Sequence, residues 1–278
     1  MGRGPRMNKS SVSPHGAHTS SPLHRVMLSL LTFAVSALPG GLGVTNVENS
    51  TSGPVGREIT PITYSPSIWA GYLDEGEKYT SISARWVVPT VTCNNPSNRW
   101  DVQWIGIDGG NGDGTVEQIG TEYWCQNGVG PPRYMAWWEM WSPGNTPSSE
   151  PGELTTPQYD ISAGDLMSAS INVVGTTWTL RIADRTQNWS YPVIITSPHP
   201  VPNESTAEWV VERQVGLPDF HSTKFTDATV VGNGRRGSIL EPSTIALEIA
   251  NGSTVNVRPG PLSPSGTSFT DVWRADWP

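Results

Sequence analysis

From about Ile62 onward, the chain is a succession of short segments in which apolar and polar residues alternate, each ended by a turn rich in Gly or Pro. A period of two indicates β-strands with one buried and one solvated face. The 29 Gly and 25 Pro residues supply turns, and no stretch has the apolar spacing of an amphipathic helix. The pattern therefore predicts an all-β fold, an antiparallel sandwich or barrel.

Twelve strands are predicted from this alternation and from the turn residues between the segments. They span residues 67–73, 79–88, 100–110, 115–124, 133–141, 165–174, 177–185, 189–196, 207–213, 224–231, 245–250 and 268–273.

The first 43 residues have the order of a secretory signal. Basic residues come first, an apolar run at 26–38 follows, and small residues come after it. The run is short for a membrane span, although an N-terminal anchor is the alternative. We predict a signal peptide region at 1–43, a linker or short propeptide at 44–61, a folded domain at 62–278, and a secreted protein without stable membrane association once the signal is removed.

Charge and cysteine content limit the partners that the chain can have. The formal net charge is -8, which argues against a nucleic-acid partner because such sites need clustered Lys and Arg. Cys93 and Cys125 form either one disulfide, as an oxidising compartment favours, or two unpaired buried thiols. No Cys and His spacing suits a metal, so we predict neither a metal nor a cofactor.

Two of the predicted strands place tryptophans and carboxylates on one face. Trp104 and Asp108 share a face of the third strand, and Trp137, Glu139 and Trp141 share a face of the fifth. Such a face is typical of a groove that binds a peptide or a sugar, and an aromatic core face or an oligomer contact is the alternative. We assign all five residues to substrate binding.

Carboxylates are the reactive groups that the sequence offers. It contains no G-x-S-x-G motif and no pair of D-[ST]-G turns. Glu208 and Glu212 share a strand face at a separation of roughly 13 Å, too far to share a proton. Two carboxylates across a groove hydrolyse glycosidic bonds, whereas one carboxylate with a neutral donor hydrolyses amides. Gln118 is a candidate for that donor because Gly120 leaves the strand surface beside it open.

Four segments occur in the order and spacing of one known family. They are WIGIDG (104–109), EQIGTEYW (117–124), YMAWWEMW (134–141) and AEWVVER (207–213). Together they resemble the glutamic peptidases, also called eqolisins, and the resemblance extends over roughly residues 62–274. It implies a secreted acid endopeptidase with a lectin-like β-sandwich of the concanavalin A jelly-roll type, acting on proteins or peptides.

The resemblance also implies roles for individual residues. The family's catalytic Gln–Glu dyad falls on Gln118 and Glu212, its cleft tryptophan on Trp104, and a further glutamate on Glu139. The implied mechanism is direct attack by water, with Glu212 as general base and acid and Gln118 as the stabiliser of the oxyanion. Arg213 departs from the family, which often has an acidic residue after the catalytic glutamate.

Two other functions are kept as alternatives. A glycoside hydrolase on a similar sandwich would use Glu139 with Glu212, and it gives no role to Gln118. A non-catalytic carbohydrate-binding module would use the tryptophan face alone. The sequence does not indicate the oligomeric state.

Overall fold

The computed structural model describes residues 59–63, 68–110, 112, 114–128, 130–143, 152–239 and 243–277. The predicted signal region 1–43 and most of the predicted linker at 44–61 lie outside these residues. Within the described part, no helix has the length and apolar character needed to cross a lipid bilayer.

The described residues form sixteen strands and two single-turn 3₁₀ helices, at Gln126–Gly128 and Pro157–Tyr159. In chain order, strands β1 to β16 are Ile62–Thr63, Trp69–Glu75, Tyr79–Val87, Arg99–Ile107, Val116–Cys125, Arg133–Trp141, Gly152–Glu153, Leu166–Val174, Thr177–Asp184, Trp189–Thr196, Thr206–Val215, Ser222–Gly232, Arg235–Gly237, Ile245–Asn251, Thr254–Pro259 and Phe269–Trp273.

The strands form two sheets. The front sheet has the order β14-β2-β11-β4-β5-β6-β7, and the back sheet has the order β10-β9-β8-β3-β12-β16-β15. Strands β14 and β15 pair with each other and so connect the two sheets. These pairings are antiparallel, and the short β1 adds to β14 in parallel.

The core lies between the two sheets and explains the alternation in the sequence. On the front sheet, Trp209, Ile105 and Ile119 are aligned across β11, β4 and β5 and are fully buried. On the back sheet, Ile82 and Ile171 are aligned across β3 and β8 and join the same cluster. Burying one face of each sheet against the other is the defining feature of a β-sandwich, so the predicted fold is confirmed.

A disulfide links the segment before β4 to the last residue of β5. Cys93 and Cys125 are bonded, with their Cα atoms 5.4 Å apart, and this settles the choice between a disulfide and two thiols. The bond closes a ring that contains all of β4 and nearly all of β5.

Candidate active site

Strand register places the predicted site on the outer face of the front sheet, the face that points away from the core. Gln118 on β5 lies opposite Gly106 on β4 and Glu139 on β6. Glu208 on β11 lies opposite Gly106 from the other side. These four residues form one row across the sheet, because residues opposite each other on antiparallel strands share a face.

A second row, two residues further along the strands, contains the aromatic residues. Gly120 lies between Trp104 and Trp137, both of which are buried. A Cβ on Gly120 would approach the Cβ of Trp104 to 2.6 Å, and a Cβ on Gly106 would approach its Cζ3 to 2.5 Å. Trp104 can therefore lie against the sheet only because both of these neighbours are glycines.

Glu212 belongs to the third row, where it lies opposite Val102 on β4 and Trp69 on β2. Its Oε2 accepts a hydrogen bond of 2.9 Å from the indole Nε1 of Trp104. The side chains of Trp69 and Trp104 meet edge to face, with their ring centroids 5.2 Å apart. Glu212 itself is only half-buried, so it combines an apolar surrounding with access to solvent.

The environment of Glu212 changes its acidity. Burial raises the pKa of Glu212 from 4.5 to about 7, and hydrogen bonds from Trp104, Trp69 and Gln214 lower it in part. Arg213 has the smallest effect on the pKa of Glu212, in the lowering direction. Its guanidinium belongs to the other face, where it lies 3.9 Å over the ring of Trp277. A carboxyl with a pKa near neutrality can both accept and return a proton under ordinary conditions.

Gln118 is oriented by its neighbour on β6. Its Nε2 donates a hydrogen bond of 2.9 Å to Oε2 of Glu139, and both side chains are buried. The Oε1 of Gln118 is buried and has no hydrogen-bond partner in the described part of the chain. The contact with Glu139 therefore fixes which end of the amide is nitrogen, and it uses only one of the two N–H groups of Nε2.

Gln118 and Glu212 are on the same face but are not in contact with each other. They are two strands and four residues apart, which on a flat sheet corresponds to roughly 16 Å between Cα atoms. Trp104 lies on the intervening strand and in the intervening row. The Trp104 side chain therefore separates the two groups, and the amide of Gln118 is directed to Glu139 on β6, the side away from Glu212.

The remaining predicted site residues have different surroundings. Asp108 is fully buried with φ 67°, and its carboxylate accepts hydrogen bonds from the backbone N–H groups of Glu204 at 2.8 Å and Ser205 at 2.7 Å. Trp141 is half-buried at the end of β6, opposite Val116. Substrate binding by Asp108, Trp137 and Trp141 stays a prediction, and for Asp108 the structure shows contacts that brace the loop before β11.

Sequence reasoning assigned no role in the site to Trp69 or Gln214. Both are oriented toward Glu212 and influence its pKa. Trp69 lies two residues from the start of the predicted first strand, and alternation alone could have placed it on the outer face. Its alignment with Glu212 depends on strand register, which the sequence does not give. Within the described residues, no group of three His, Cys, Asp or Glu is arranged to hold a metal ion.

Several other buried carboxyls have raised pKa values. Burial raises the pKa of Asp101, Glu117 and Asp271 well above the ordinary value. Burial, together with the charge of Glu153, raises the pKa of Glu122 to about 8, and a hydrogen bond from Trp100 lowers it in part. Each of these groups binds its proton more tightly in the folded state, so it stabilises the fold below the unfolded pKa and loses that contribution as pH rises through the folded pKa.

We therefore expect the free energy of unfolding to fall as the pH rises from 4 to 7. For Glu122, the change in pKa from 4.5 to about 8 corresponds to a loss of about 3 kcal/mol across this window. Urea unfolding at both pH values should show the drop, and Glu122→Gln should reduce it because the amide has no proton to lose. Equal stability of the wild type at the two pH values would contradict the expectation.

The fold is an all-β sandwich whose front sheet carries a carboxyl and a primary amide on its outer face. Comparison with known protein families identifies the family to which the chain belongs. The pattern of the Peptidase A4 family matches residues 67–259, and the chain belongs to that family. It is a peptidase of the glutamic type, which confirms the resemblance seen in the sequence, and its substrates are proteins or peptides.

Solved structures support the same fold. Scytalido-glutamic peptidase with a transition-state analogue inhibitor has 19% sequence identity and a TM-score of 0.62, over 74% of this chain and 98% of that one. SCP-B, a member of the eqolisin family in complex with the tripeptide Ala-Ile-His, has 17% identity and a TM-score of 0.58 over the same shares. Aspergilloglutamic peptidase from Aspergillus niger has 21% identity and a TM-score of 0.53, over 63% and 99%. A comparison with curated protein sequences gave no significant match.

Proposed function

We propose that this protein is a secreted acid endopeptidase in which Glu212 and Gln118 catalyse direct attack of water on the peptide bond. The proposal rests on one observation. In this member of the Peptidase A4 family, one sheet face carries both the half-buried carboxyl of Glu212, whose pKa is about 7, and the buried amide of Gln118, which is oriented by a hydrogen bond. No acyl-enzyme is formed, because neither group acts as a nucleophile.

Glu212 is the general base and then the general acid. Its carboxylate takes a proton from water as the water oxygen attacks the carbonyl carbon. The resulting Glu212 acid returns that proton to the leaving nitrogen, so the carboxylate is regenerated at the end of the cycle. The hydrogen bond from Trp104 to Oε2 fixes the orientation of the carboxyl group during both proton transfers.

Gln118 stabilises the oxyanion that develops as water attacks. One N–H of its Nε2 is held by Glu139, and the second N–H is available to the substrate carbonyl oxygen. Direct attack requires the water molecule and the scissile carbonyl group to bind between Gln118 and Glu212.

We expect two opposing effects to govern how activity depends on pH. The fraction of Glu212 that is ionised rises as pH approaches its pKa of about 7. The stability contributed by buried carboxylic acids such as Glu122 falls over the same range. Activity is therefore highest where enough Glu212 is ionised and the fold is still fully formed.

The direct test is hydrolysis of a denatured protein by the purified chain from acid to neutral pH, with the products identified by mass spectrometry. We expect internal cleavage of the substrate and a rate that rises with pH on the acid limb. Hydroxylamine added during turnover should trap no acyl product. A trapped acyl group would refute direct water attack, and an absence of peptide cleavage at every pH would refute the proposed function.

Trp104→Phe should move the midpoint of the acid limb, in a profile of kcat/KM against pH, to higher pH by about one pH unit. The indole N–H stabilises the ionised form of Glu212, so its removal raises the pKa of Glu212 further. Trp137→Phe is the matched control, because the Trp137 Nε1 has no partner within the described residues. Equal shifts of the pH profile in the two variants would contradict a specific effect of Trp104 on Glu212.

We also propose that residues 1–43 direct secretion and are removed, and that 44–61 is a linker or propeptide ahead of the peptidase domain at 62–278. The charge and apolar order of the N-terminus support this proposal. Mass spectrometry of protein recovered from the culture medium would identify the N-terminus of the mature chain.

A further inference from the structure

A polar groove lies on the outer face of the back sheet, the face turned away from the core and from the front sheet. Its volume is about 280 Å³. Small hydroxyl side chains line its floor, and guanidinium groups surround them. The arginine groove, as we call it, is lined by Ser83, Ser168 and Ser170 and by Arg85, Arg181, Arg185 and Arg236, with Asp227 as its one acidic residue.

Strand register builds the arginine groove. Ser83 on β3 lies opposite Ser170 on β8, which lies opposite Arg181 on β9, and Arg85 lies opposite Ser168 in the adjacent row. The residues between them along β3 and β8, such as Ile82 and Ile171, enter the core, so the serines and arginines face outward. Short side chains in the centre with long ones around them produce a depression rather than a flat face.

The positive charge in the arginine groove is largely uncompensated. Arg85 pairs with Asp227 at 3.0 Å, but the two side chains are 50% and 63% exposed, so the pair is weak. Arg181 donates to Ser190 at 3.1 Å and Arg185 donates to Ser168 at 3.0 Å, and both of these partners are neutral. Arg236 pairs with Val231 through the backbone ladder, but its guanidinium group has no hydrogen bond or ion pair within the described part of the chain. Four guanidinium groups thus share one carboxylate.

Two structural explanations for this cluster fit poorly. Charged residues often guard the edges of sheets against pairing with other chains, but β3 and β9, which carry Arg85 and Arg181, are interior strands of the back sheet. A generally basic surface does not explain it either, because the chain has a net charge of -8 and four of its 17 Lys and Arg residues line this one groove. Like charges gathered in this way repel one another unless an anion joins them.

We propose that the arginine groove binds a sulfate or phosphate group, either as the free ion or as an ester carried by a polysaccharide. Guanidinium groups present paired N–H donors that match such anions, and the serine hydroxyls add further donors. A tetrahedral anion has enough oxygens to accept from several arginines at once, whereas a carboxylate has two. The lining contains no aromatic side chain for stacking nucleic-acid bases and no large apolar side chain for anchoring a protein partner.

The test is calorimetric titration of the full chain with inorganic phosphate and with sulfate, at constant ionic strength maintained with chloride. We expect one saturable site. Arg181→Gln and Arg236→Gln should each weaken binding by about tenfold, since each removes charge-assisted hydrogen bonds. Lys224→Gln is the matched control, because it removes the same charge from an exposed position on the same sheet outside the groove. Asp227→Asn should tighten binding several-fold by removing the competing carboxylate.

A second set of titrations identifies the source of the anion. A polysaccharide ester is supported if dextran sulfate binds, uncharged dextran does not, and Arg181→Gln loses the binding. This holds even where the free ions bind weakly. The proposal is overturned if neither the free ions nor dextran sulfate binds. It is also overturned if the groove variants bind as the Lys224→Gln control does, or if an oligothymidylate is bound in preference to every sulfated or phosphorylated probe.

Discussion

Glu212→Gln is expected to lower kcat for peptide hydrolysis by about 10⁴, the upper range for loss of a general base. The amide has nearly the same size as the carboxyl and still accepts the hydrogen bond from Trp104, so the shape of the site is retained. It cannot take a proton from water or return one to the leaving nitrogen. Steady-state rates on a defined peptide, measured across the acid limb, give the loss directly.

Stability measurements distinguish this result from misfolding. Because burial raises the pKa of Glu212 to about 7, the folded state prefers the neutral form of that side chain. Glu212→Gln should therefore unfold in urea at the same concentration as the wild type or a higher one at pH 7. Glu77→Gln is the control, because it removes a carboxyl between β2 and β3 whose partner is Arg235, and we expect it to retain kcat within about tenfold. Comparable losses in the two variants would remove the special role of Glu212.

Gln118→Ala should lower kcat by about 10²–10³, which corresponds to roughly 3–4 kcal/mol of transition-state stabilisation, with little change in KM. The loss falls on kcat because the oxyanion, not the ground-state carbonyl, is the form that Gln118 binds most strongly. A kcat near the wild-type value in this variant would refute the role. The measurement needs a peptide with one cleavage site, so that kcat and KM can be separated.

The contact of Gln118 with Glu139 allows a stricter form of this experiment. Glu139→Leu removes the acceptor that fixes the orientation of the Gln118 amide, so its own loss of kcat should depend on the presence of Gln118. In the double variant, the two losses should be clearly less than additive. Additive losses would show that Glu139 acts independently of Gln118, for example on the substrate itself.

The sequence predicted most strands well because alternation of apolar and polar residues reports directly on burial. The boundaries of 79–88, 133–141 and 189–196 agree with the structure to within one residue. Strand β15, Thr254–Pro259, was missed although Val255 and Val257 alternate with polar residues, because the alternating run is only five residues long and Pro259 ends it. Strands β7 and β13 have two and three residues, too few to show any period.

The candidate site was predicted in its parts but not in its contacts. Alternation placed Gln118, Glu139 and Glu212 on strand faces, and the family resemblance selected the dyad among several carboxylates. The bonds from Trp104 to Glu212 and from Gln118 to Glu139 depend on cross-strand register, which a single sequence does not specify. The raised pKa values likewise arise from residues distant in sequence, such as Trp69 beside Glu212.

The disulfide affects how the protein tolerates autolysis, because the molecules of a peptidase are themselves proteins that it can cleave. Cys93 and Cys125 enclose the turn between β4 and β5, and the ring carries both Trp104 and Gln118. One self-inflicted cut in that turn would open the backbone but leave a single covalent molecule, with the two strands still paired in the front sheet. The bond thereby gives the part of the chain that carries the proposed oxyanion donor a tolerance to autolysis that strands joined only by their turn do not have.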